Sequence, residues 1–501
     1  MTLKLNLFTA TAIASTMAFT AQAQDNSVMI VLSEELEFVE PCMSTKSNVG
    51  RVIFQNISET VTELDPVTGL QPRLAESWEN MGDGTWRFHL RQGVTFSDGS
   101  AMDAEDIAHT LERVVSPDIA CEIGAKAFGG IKVSSNIIDP HTIDVTADPA
   151  QPILPLLMSL VTVTPHDAPL DSFVDHPIGT GPYTFDEYQR GEYITLTANP
   201  NYWGDQPTVQ NATYVFRSDS AVRTAMVAAG EADIAPNIAV QDATKPTMDF
   251  SYPNSETLYL SMEHAQPPLN DRRVREALNL AIDRDAFVGT VLADGTLLAT
   301  GITPPSTIGY NADLKPYAFD PDRARELLEE ARADGVPVDT EITLLGRSNN
   351  FGNVLETMEA LHAMYQDVGF NMNLEMVEVA EWLERYAKPL PEGRGPTLIQ
   401  AQHDNANGDP VFSMYFKYHT DGQTSGLAYS DIDAMIEDAT ITTGEARTTK
   451  WSELFAHLHE EVIADVMLFH MVGFSRVSER LDFTPTIRTN SELQLSQIEF
   501  N

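Results

Sequence analysis

The residues best suited to bind a charged solute lie in one polar loop, His403-Asp404-Asn405-Ala406-Asn407-Gly408-Asp409-Pro410. The loop follows residues 397–400, whose apolar run is typical of a buried strand. A carboxylate at such a place can bind a solute cation if the pairing offsets the cost of removing both charges from water. Asp404 is the first candidate, with His403, Asn405 and Asn407 beside it. Asp409 precedes a proline and is more typical of a turn or a cap.

A second set of candidates lies in the turn Gly346-Arg347-Ser348-Asn349-Asn350-Phe351, between a predicted strand and a predicted helix at residues 354–368. In α/β folds such turns line the ligand crevice. Arg347 can hold a solute carboxylate through two parallel hydrogen bonds, and Asn349 and Phe351 follow it. Trp382 and Tyr415 can supply stacking walls, although core packing is the more usual role for each of them alone.

Motifs of common enzymes are absent from the sequence. It contains no G-x-S-x-G, no H-E-x-x-H and no G-x-x-x-x-G-K-[ST], and no pair of carboxylates stands out for glycoside hydrolysis. The sequence therefore predicts no enzyme, no cofactor and no resident metal, with a secreted hydrolase as a remote alternative. His457 and His459 would face different sides of a predicted helix at residues 451–463, yet a metal-chelate receptor stays a second alternative.

Composition excludes several classes of partner. The 501 residues include 73 acidic and 31 basic side chains, a formal net charge of -42. Nucleic acids and anionic lipid surfaces require a cationic protein surface, so both are excluded as partners. The acidity fits either a saline habitat, where carboxylates keep the surface hydrated, or long-range attraction of a cationic solute.

The first residues are typical of an export signal. Lys4 precedes an apolar stretch at residues 5–19, which ends in Ala21-Gln22-Ala23, a small-x-small cleavage pattern. We expect a signal peptide at residues 1–23 and a periplasmic mature chain that does not insert into the membrane, because no later run reaches ~18 apolar residues. Cys42 and Cys121 would then enter an oxidising space, which favours a disulfide over two buried thiols.

Short β-like runs alternate with amphipathic helices along the chain. The helices are predicted at residues 101–115, 271–292, 321–333, 354–368 and 451–463, and a strand at residues 85–90. This alternation predicts an α/β or mixed fold.

Five segments, in order, resemble the family 5 solute-binding proteins of ABC importers, which include dipeptide-, oligopeptide- and nickel-binding receptors. The first carries the LAESW, DGTxxxFxLR and GVxFxDGxxxxAED patterns of that family, and the second its GTGPY and NPxYW patterns. The segments are residues 74–107 (LAESWENMGDGTWRFHLRQGVTFSDGSAMDAEDI), 179–204 (GTGPYTFDEYQRGEYITLTANPNYWG), 225–236 (AMVAAGEADIAP), 267–288 (PPLNDRRVREALNLAIDRDAFV) and 319–331 (FDPDRARELLEEA).

The resemblance implies a two-lobed periplasmic-binding-protein fold of α/β type, with an additional β-rich subdomain in lobe I. Lobe I would comprise residues 24–260 and 472–501, with the extra subdomain at about residues 45–170, and lobe II residues 261–471. Family members close by hinge motion over a solute and deliver it to a permease and an ATPase. The implied protein is a monomer that binds an oligopeptide or another amino-containing compound.

The resemblance also bears on the candidate site. In dipeptide-binding relatives a W-x-x-D-x-x-D-P-like loop supplies an aspartate that pairs with the α-ammonium group, and an arginine near position 347 binds the carboxylate. This chain keeps Gly408-Asp409-Pro410 and has Asp404, but it has Ala401-Gln402-His403 where the tryptophan would stand.

Overall fold

Strands and helices alternate along the computed structural model, which describes residues 26–65, 69–405, 408–486 and 493–501. The predicted signal peptide and the candidate Asn407 lie outside these residues. The strands of the described residues are β1 (Ser27–Leu32), β2 (Thr62–Asp65), β3 (Gly69–Pro72), β4 (Ala75–Gly82), β5 (Thr85–Leu90), β6 (Lys132–Asp139), β7 (Thr142–Asp148), β8 (Tyr183–Gln189), β9 (Tyr193–Ala198), β10 (Asn211–Phe216), β11 (Ile234–Ala235), β12 (Asp249–Met262), β13 (Leu297–Leu298), β14 (Ile342–Arg347), β15 (Met372–Val377), β16 (Thr397–Asp404), β17 (Val466–Val477), β18 (Leu481–Asp482) and β19 (Glu499–Phe500).

The α-helices of the same residues connect these strands. They are α1 (Asn48–Phe54), α2 (Ala104–Val114), α3 (Glu122–Phe128), α4 (Leu154–Leu157), α5 (Ser220–Ala229), α6 (Arg272–Leu280), α7 (Pro321–Ala333), α8 (Val354–Val368), α9 (Val379–Tyr386), α10 (Val411–Tyr418), α11 (Ser430–Ile441) and α12 (Gly444–Ala456).

One large sheet organises the chain. Its strand order is β15-β14-β16-β12-β17-β11-β1-β10-β9-β8, with β13 added on β17. The long antiparallel strands β12 and β17 lie at its centre, where the chain passes from one half of the sheet to the other. We call residues 263–465, between these two strands, the central region, and the residues before β12 the N-terminal region.

A separate four-stranded sheet, in the order β4-β5-β7-β6, lies within the N-terminal region. Helix α2 covers it and begins with a capping box, in which Asp103 accepts from the backbone of the first turn and Asp106 accepts from the Asp103 backbone. Buried residues of this unit, such as Phe88 and Ile107, belong to one apolar cluster with Met414 and Trp451 of the central region. Apolar packing therefore joins this unit to the central region.

One predicted helix is shorter than its apolar pattern suggested. Residues 271–292 were predicted to be helical, but α6 ends at Leu280. The Leu280 carbonyl accepts from the backbone of Asp320 at 2.9 Å, and the Asn279 carbonyl accepts from the Arg284 guanidinium at 2.9 Å. These outside donors satisfy the last carbonyls, so the helix can end there. The helix predicted at residues 451–463 also differs from its prediction. It begins earlier, at Gly444, and its last residues, His457–Val462, form a π-helical turn.

A disulfide joins Cys42 and Cys121, as predicted. It links the short helical segment Pro41–Lys46 to the residue that precedes α3. Thr45 Oγ1 also donates to Glu122 Oε1 at 3.3 Å across the same junction. The two segments are therefore held together both covalently and by a polar contact.

Reduction of this disulfide is expected to lower the thermal stability of the protein. The two cysteines are 79 residues apart, and closing a loop of that length stabilises a folded chain by about 4.5 kcal/mol in the chain-entropy model. Melting temperatures measured with and without dithiothreitol test this expectation, with the double variant Cys42→Ala/Cys121→Ala as the control that reductant should leave unaffected. A wild-type melting temperature that does not change in reductant would contradict it.

Candidate functional site

Two charged residues meet where neighbouring parallel strands end. Arg347 is the last residue of β14 and Asp404 the last of β16, and these two strands are parallel and adjacent. Because the carboxyl ends of parallel strands meet at one edge of a sheet, this edge is the usual place for a ligand crevice. Glu34 follows β1 and reaches the same edge, where its Oε1 lies 2.5 Å from Arg347 Nη2.

A bulge in β12 points polar side chains toward Asp404. Pro253 pairs with Val472 and Thr257 with His470, so three residues of β12 face a single residue of β17. Bulges of this kind redirect side chains near functional sites. Here Ser255 Oγ donates to Asp404 Oδ1, and Glu256 accepts from the side chain of Gln402.

An ion pair connects Asp404 to the N-terminal region. Arg51 Nη1 of α1 binds Asp404 Oδ2. Helix α1 places Arg51 through a cap at Ser47, whose Oγ accepts from the backbone of Gly50 at 3.1 Å. The pair therefore bridges the N-terminal region and the end of β16.

A cleft surrounds this ion pair. Two adjoining cavities, of about 1040 and 640 Å³, share five lining residues: Thr45, Arg51, Lys126, His403 and Asp404. Together they form one space, which we call the Asp404 cleft. Its walls come from both the N-terminal region and the central region.

The two ends of the Asp404 cleft differ in chemistry. The larger, which we call the hydroxyl arm, is lined by the hydroxyl side chains Ser44, Thr45, Ser58, Thr60, Ser159 and Thr162 together with apolar side chains such as Phe54 and Leu160. The smaller, which we call the aromatic arm, is lined by Trp382, Tyr386, Phe416, Lys417 and Arg347.

The Asp404 cleft contains several cations in a strongly acidic protein. Arg51, Arg73, Lys126, Arg347 and Lys417 all line it. Lys126 Nζ lies 2.8 Å from Glu122 Oε1; burial lowers the pKa of Lys126, and the Glu122 carboxylate opposes that shift. The carboxylates Glu63, Glu122, Glu256, Asp404 and Asp409 line the same cleft, so its wall offers groups of both signs to a charged ligand.

His403 is a polar part of the cleft wall. Its Nε2 contacts Ser413 Oγ, and its side chain is buried. Burial, followed by the nearby charges of Lys417, Lys126 and Arg51, lowers the pKa of His403 well below its usual value. The neutral imidazole can exchange a hydrogen bond but brings no charge. Across the described ranges, no group of three or more His, Cys, Asp or Glu side chains is arranged to hold a metal ion.

The structure brings six of the sequence candidates together. Asp404, His403, Asn405, Asp409, Arg347 and Trp382 all line the Asp404 cleft. Asp409 is bound on both oxygens by Arg447, at 2.7 and 2.8 Å, and its Oδ1 also accepts from the backbone of Val411. Asn405 donates to the carbonyl of Ile302 at 2.7 Å. The polar atoms of these two side chains thus already have structural partners.

The other candidates lie elsewhere. Asn349 and Phe351 line a separate groove, together with Ser33 and Gln241. Tyr415 stacks on His419, with ring centroids 4.2 Å apart, and its ring lies against Gly129 and Gly130. The contribution of each candidate to binding stays a prediction.

Seven charged residues that line the cleft were missed at the sequence level: Arg51, Glu63, Arg73, Glu122, Lys126, Glu256 and Lys417. Only one of them carries a local signal. Lys417 is the single charged residue in the otherwise apolar and aromatic helix Val411–Tyr418. The others are recognised only when distant segments meet in the fold.

A buried network lies behind the aromatic arm. Tyr386 Oη lies 3.1 Å from both Lys417 Nζ and Tyr259 Oη. The next residue of α10, Tyr418, donates from Oη to Asp465 Oδ2 at 2.6 Å. Burial raises the pKa of Asp465 to about 7, while the Tyr418 hydrogen bond and the Lys417 charge oppose that shift.

Comparison with known proteins identifies the class. Residues 69–425 match the family model "Bacterial extracellular solute-binding proteins, family 5 Middle". The dipeptide-binding protein of Escherichia coli (strain K12) is 27% identical over 451 residues, which cover 83% of each chain. This chain therefore belongs to the family 5 extracellular solute-binding proteins, which are solute receptors rather than enzymes.

Solved structures share the same fold. The ABC transporter-associated periplasmic binding protein DppA of Helicobacter pylori, in complex with the peptide STSA, has a TM-score of 0.83 at 20% identity, covering 95% of this chain and 98% of that one. NikZ of Campylobacter jejuni, in complex with Ni(L-His), has a TM-score of 0.78 at 20% identity over 95% and 99% of the two chains. The predicted periplasmic-binding-protein fold is confirmed. None of the helices in the described ranges has the length and apolar character to cross a bilayer.

The raised pKa of Asp465 predicts how stability changes with pH. An aspartate in an unfolded chain has a pKa of about 3.9, so the folded protein holds a proton on Asp465 that the unfolded chain releases between about pH 4 and pH 7. The stability that this group contributes is complete below about pH 4 and is lost as the pH rises through about 7. An asparagine side chain cannot ionise, so the melting temperature of Asp465→Asn minus that of the wild type should increase from pH 4 to pH 8.

Thermal unfolding of both proteins across this pH range measures that difference, in which the other carboxylates cancel. Asp438→Asn, which removes an exposed carboxylate paired with Lys450, is the control for the loss of a carboxylate elsewhere in the protein. A difference for Asp465→Asn that stays constant or decreases as the pH rises would contradict a raised pKa of Asp465.

Proposed function

We propose that this protein is the receptor of an ABC importer for a small peptide or another solute that carries both an amino group and a carboxylate. The proposal depends on one observation: Asp404 and Arg347 stand at adjoining strand ends and line a single cleft. A carboxylate and a guanidinium that line the same cleft are complementary in charge to the two ends of a zwitterion. The peptide-related names of the relative and of the structural neighbour agree with this solute class.

In this proposal, Asp404 receives the solute's ammonium group. Asp404 is bound by Arg51 and Ser255, so an incoming ammonium group would replace or join existing hydrogen-bond donors. His403, as a neutral imidazole, can exchange a hydrogen bond with the solute backbone. Trp382 lies 4.7 Å from Tyr386 between ring centroids and gives the same end of the cleft a flat apolar wall.

Closure is proposed to occur by bending at β12 and β17. These two paired strands connect residues 24–260 and 472–501, the proposed lobe I, with residues 261–471, the proposed lobe II. Polar contacts that join the two sides include Arg51 with Asp404, Glu34 with Arg347, and a reciprocal amide pair between Gln241 and Asn353, at 2.7 and 2.8 Å. A solute that bridges the same sides adds to these contacts and favours the closed form.

The cellular setting follows from the same proposal. The predicted signal peptide at residues 1–23 would place the mature chain in the periplasm as a monomer. There it would deliver its solute to the permease and ATPase of the importer.

The proposed function predicts that the purified protein binds amino- and carboxylate-bearing solutes and releases them unchanged. Mass spectrometry of material released by denaturation identifies a co-purified solute. Melting temperatures with di- and tripeptides, glutathione, opines, sugars and nickel–histidine then measure binding, since a ligand of the folded state raises the melting temperature. Asp404→Asn should weaken binding of the best peptide by about tenfold to a hundredfold, because a charge-assisted hydrogen bond is lost.

The control is Asp431→Asn, which alters an exposed carboxylate that pairs with His457 outside the cleft and should bind like the wild type. Stabilisation by nickel–histidine without any peptide response would favour the metal-chelate alternative. If no solute of the panel raises the melting temperature and denaturation releases no compound, the proposed function is contradicted.

A further inference from the structure

The ammonium group of Lys417 is buried at the end of the aromatic arm. The residue is 9% exposed and lines the Asp404 cleft. Its Nζ donates to Tyr386 Oη at 3.1 Å and lies 4.8 Å from the Tyr386 ring centroid and 5.1 Å from that of Phe416. The group is therefore surrounded by aromatic carbon and one hydroxyl.

No carboxylate oxygen among the described residues lies within 4.0 Å of Lys417 Nζ. Asp465 is the carboxylate behind this arm, and its Oδ2 is engaged by Tyr418 Oη at 2.6 Å. A buried ammonium group without an adjacent anion is costly, because aromatic faces and one hydroxyl replace only part of its hydration.

The other four cations of the cleft are compensated. Arg51 binds Asp404, Arg73 binds Glu59, Lys126 binds Glu122 and Arg347 binds Glu34. Each of these pairs would have to open before the cation could bind a solute carboxylate with its full charge. Lys417 can bind an anion without the loss of an existing ion pair.

We propose that Lys417 forms an anion subsite of the Asp404 cleft, which gives the receptor a preference for solutes with an acidic side chain, such as glutamyl or aspartyl peptides. This inference rests on the proposed function, because it assumes that the solute binds in this cleft. It adds a third charged contact to the two that Asp404 and Arg347 make at the strand ends. Asp404 and Arg347 end strands, whereas Lys417 lies on helix α10. The aromatic rings around Lys417 can pack against the methylene groups of a solute side chain.

The subsite should increase the affinity for solutes with an acidic side chain and decrease the stability of the protein without solute. In the wild type, a side-chain carboxylate gains a charge-assisted hydrogen bond in a site that excludes water, which corresponds to about tenfold to a hundredfold in affinity. Without solute, the same ammonium group is uncompensated, so its removal should raise the melting temperature. A lysine that merely supports the fold would lower it when removed.

The test uses isosteric acid and amide pairs: alanyl-glutamate with alanyl-glutamine, and glutamyl-alanine with glutaminyl-alanine. Calorimetry should show that the wild type binds the acid at least tenfold more tightly than the amide, in whichever of the two pairs shows the larger difference. Lys417→Met should lose this preference and melt at a higher temperature than the wild type without ligand, whereas Lys417→Arg should retain a preference. Lys126→Met is the matched control from the same cleft, and it should melt at a lower temperature because it removes the ammonium group that pairs with Glu122.

The outcomes separate the two proposals. If the wild type binds peptides but binds acid and amide equally, or prefers the amide, the anion subsite is wrong and the peptide receptor stands. If Lys417→Met keeps the acid preference, or lowers the melting temperature, Lys417 is a structural residue and the subsite is likewise wrong. If no peptide binds at all, the proposed function fails and the subsite fails with it.

Discussion

The interior of the cleft depends on one constraint: charges removed from water must find opposite charges or strong hydrogen-bond partners. Asp404, Arg51, Arg347 and Glu34 meet this condition by pairing across the space between distant segments. Isolated, each would carry a desolvation cost of several kcal/mol, so the position of each charge fixes that of its partner. The carboxyl ends of β14 and β16, at the same edge of the sheet, and the bulge in β12 bring these side chains to one cleft.

The same constraint explains why the large sheet is continuous through the middle of the molecule. Strands β12 and β17 hydrogen-bond to each other and to neighbours on both sides, so their backbone groups are satisfied although both strands are almost wholly buried. The bulge interrupts this ladder at Asn254, Ser255 and Glu256, beside the cleft. Regular pairing supports the structure, and the local interruption supplies the polar side chains of the site.

Much of the fold was predictable from sequence because local signals were strong. Helix α7 begins at Pro321, where Asp320 accepts from the backbone of Arg323, and α8 covers the predicted residues 354–368. Strand β5 also matches its prediction. The end of α6 could not be predicted, because its carbonyls are bound by Asp320 and Arg284 from later in the chain. Apolar periodicity alone carries no information about such donors.

The site was predictable only in part, for a related reason. Asp404 and Arg347 end strands, and the strand pattern is local. Arg51 and Lys126 reach the cleft only through the packing of α1 and α3, and no local pattern distinguishes them from surface cations. Asp409, although it stands next to proline in the polar loop, is held by Arg447, which the sequence around it does not reveal.

The Arg51–Asp404 ion pair has a consequence for solutes that carry a single charge. A simple amine that displaced Arg51 from Asp404 would exchange one charged contact for another, and so would a simple acid that drew Arg51 away. A guest with both signs would make two charged contacts for the one it breaks. Under the proposed function, the internal pair would therefore favour a solute with two opposite charges over a solute with a single charge.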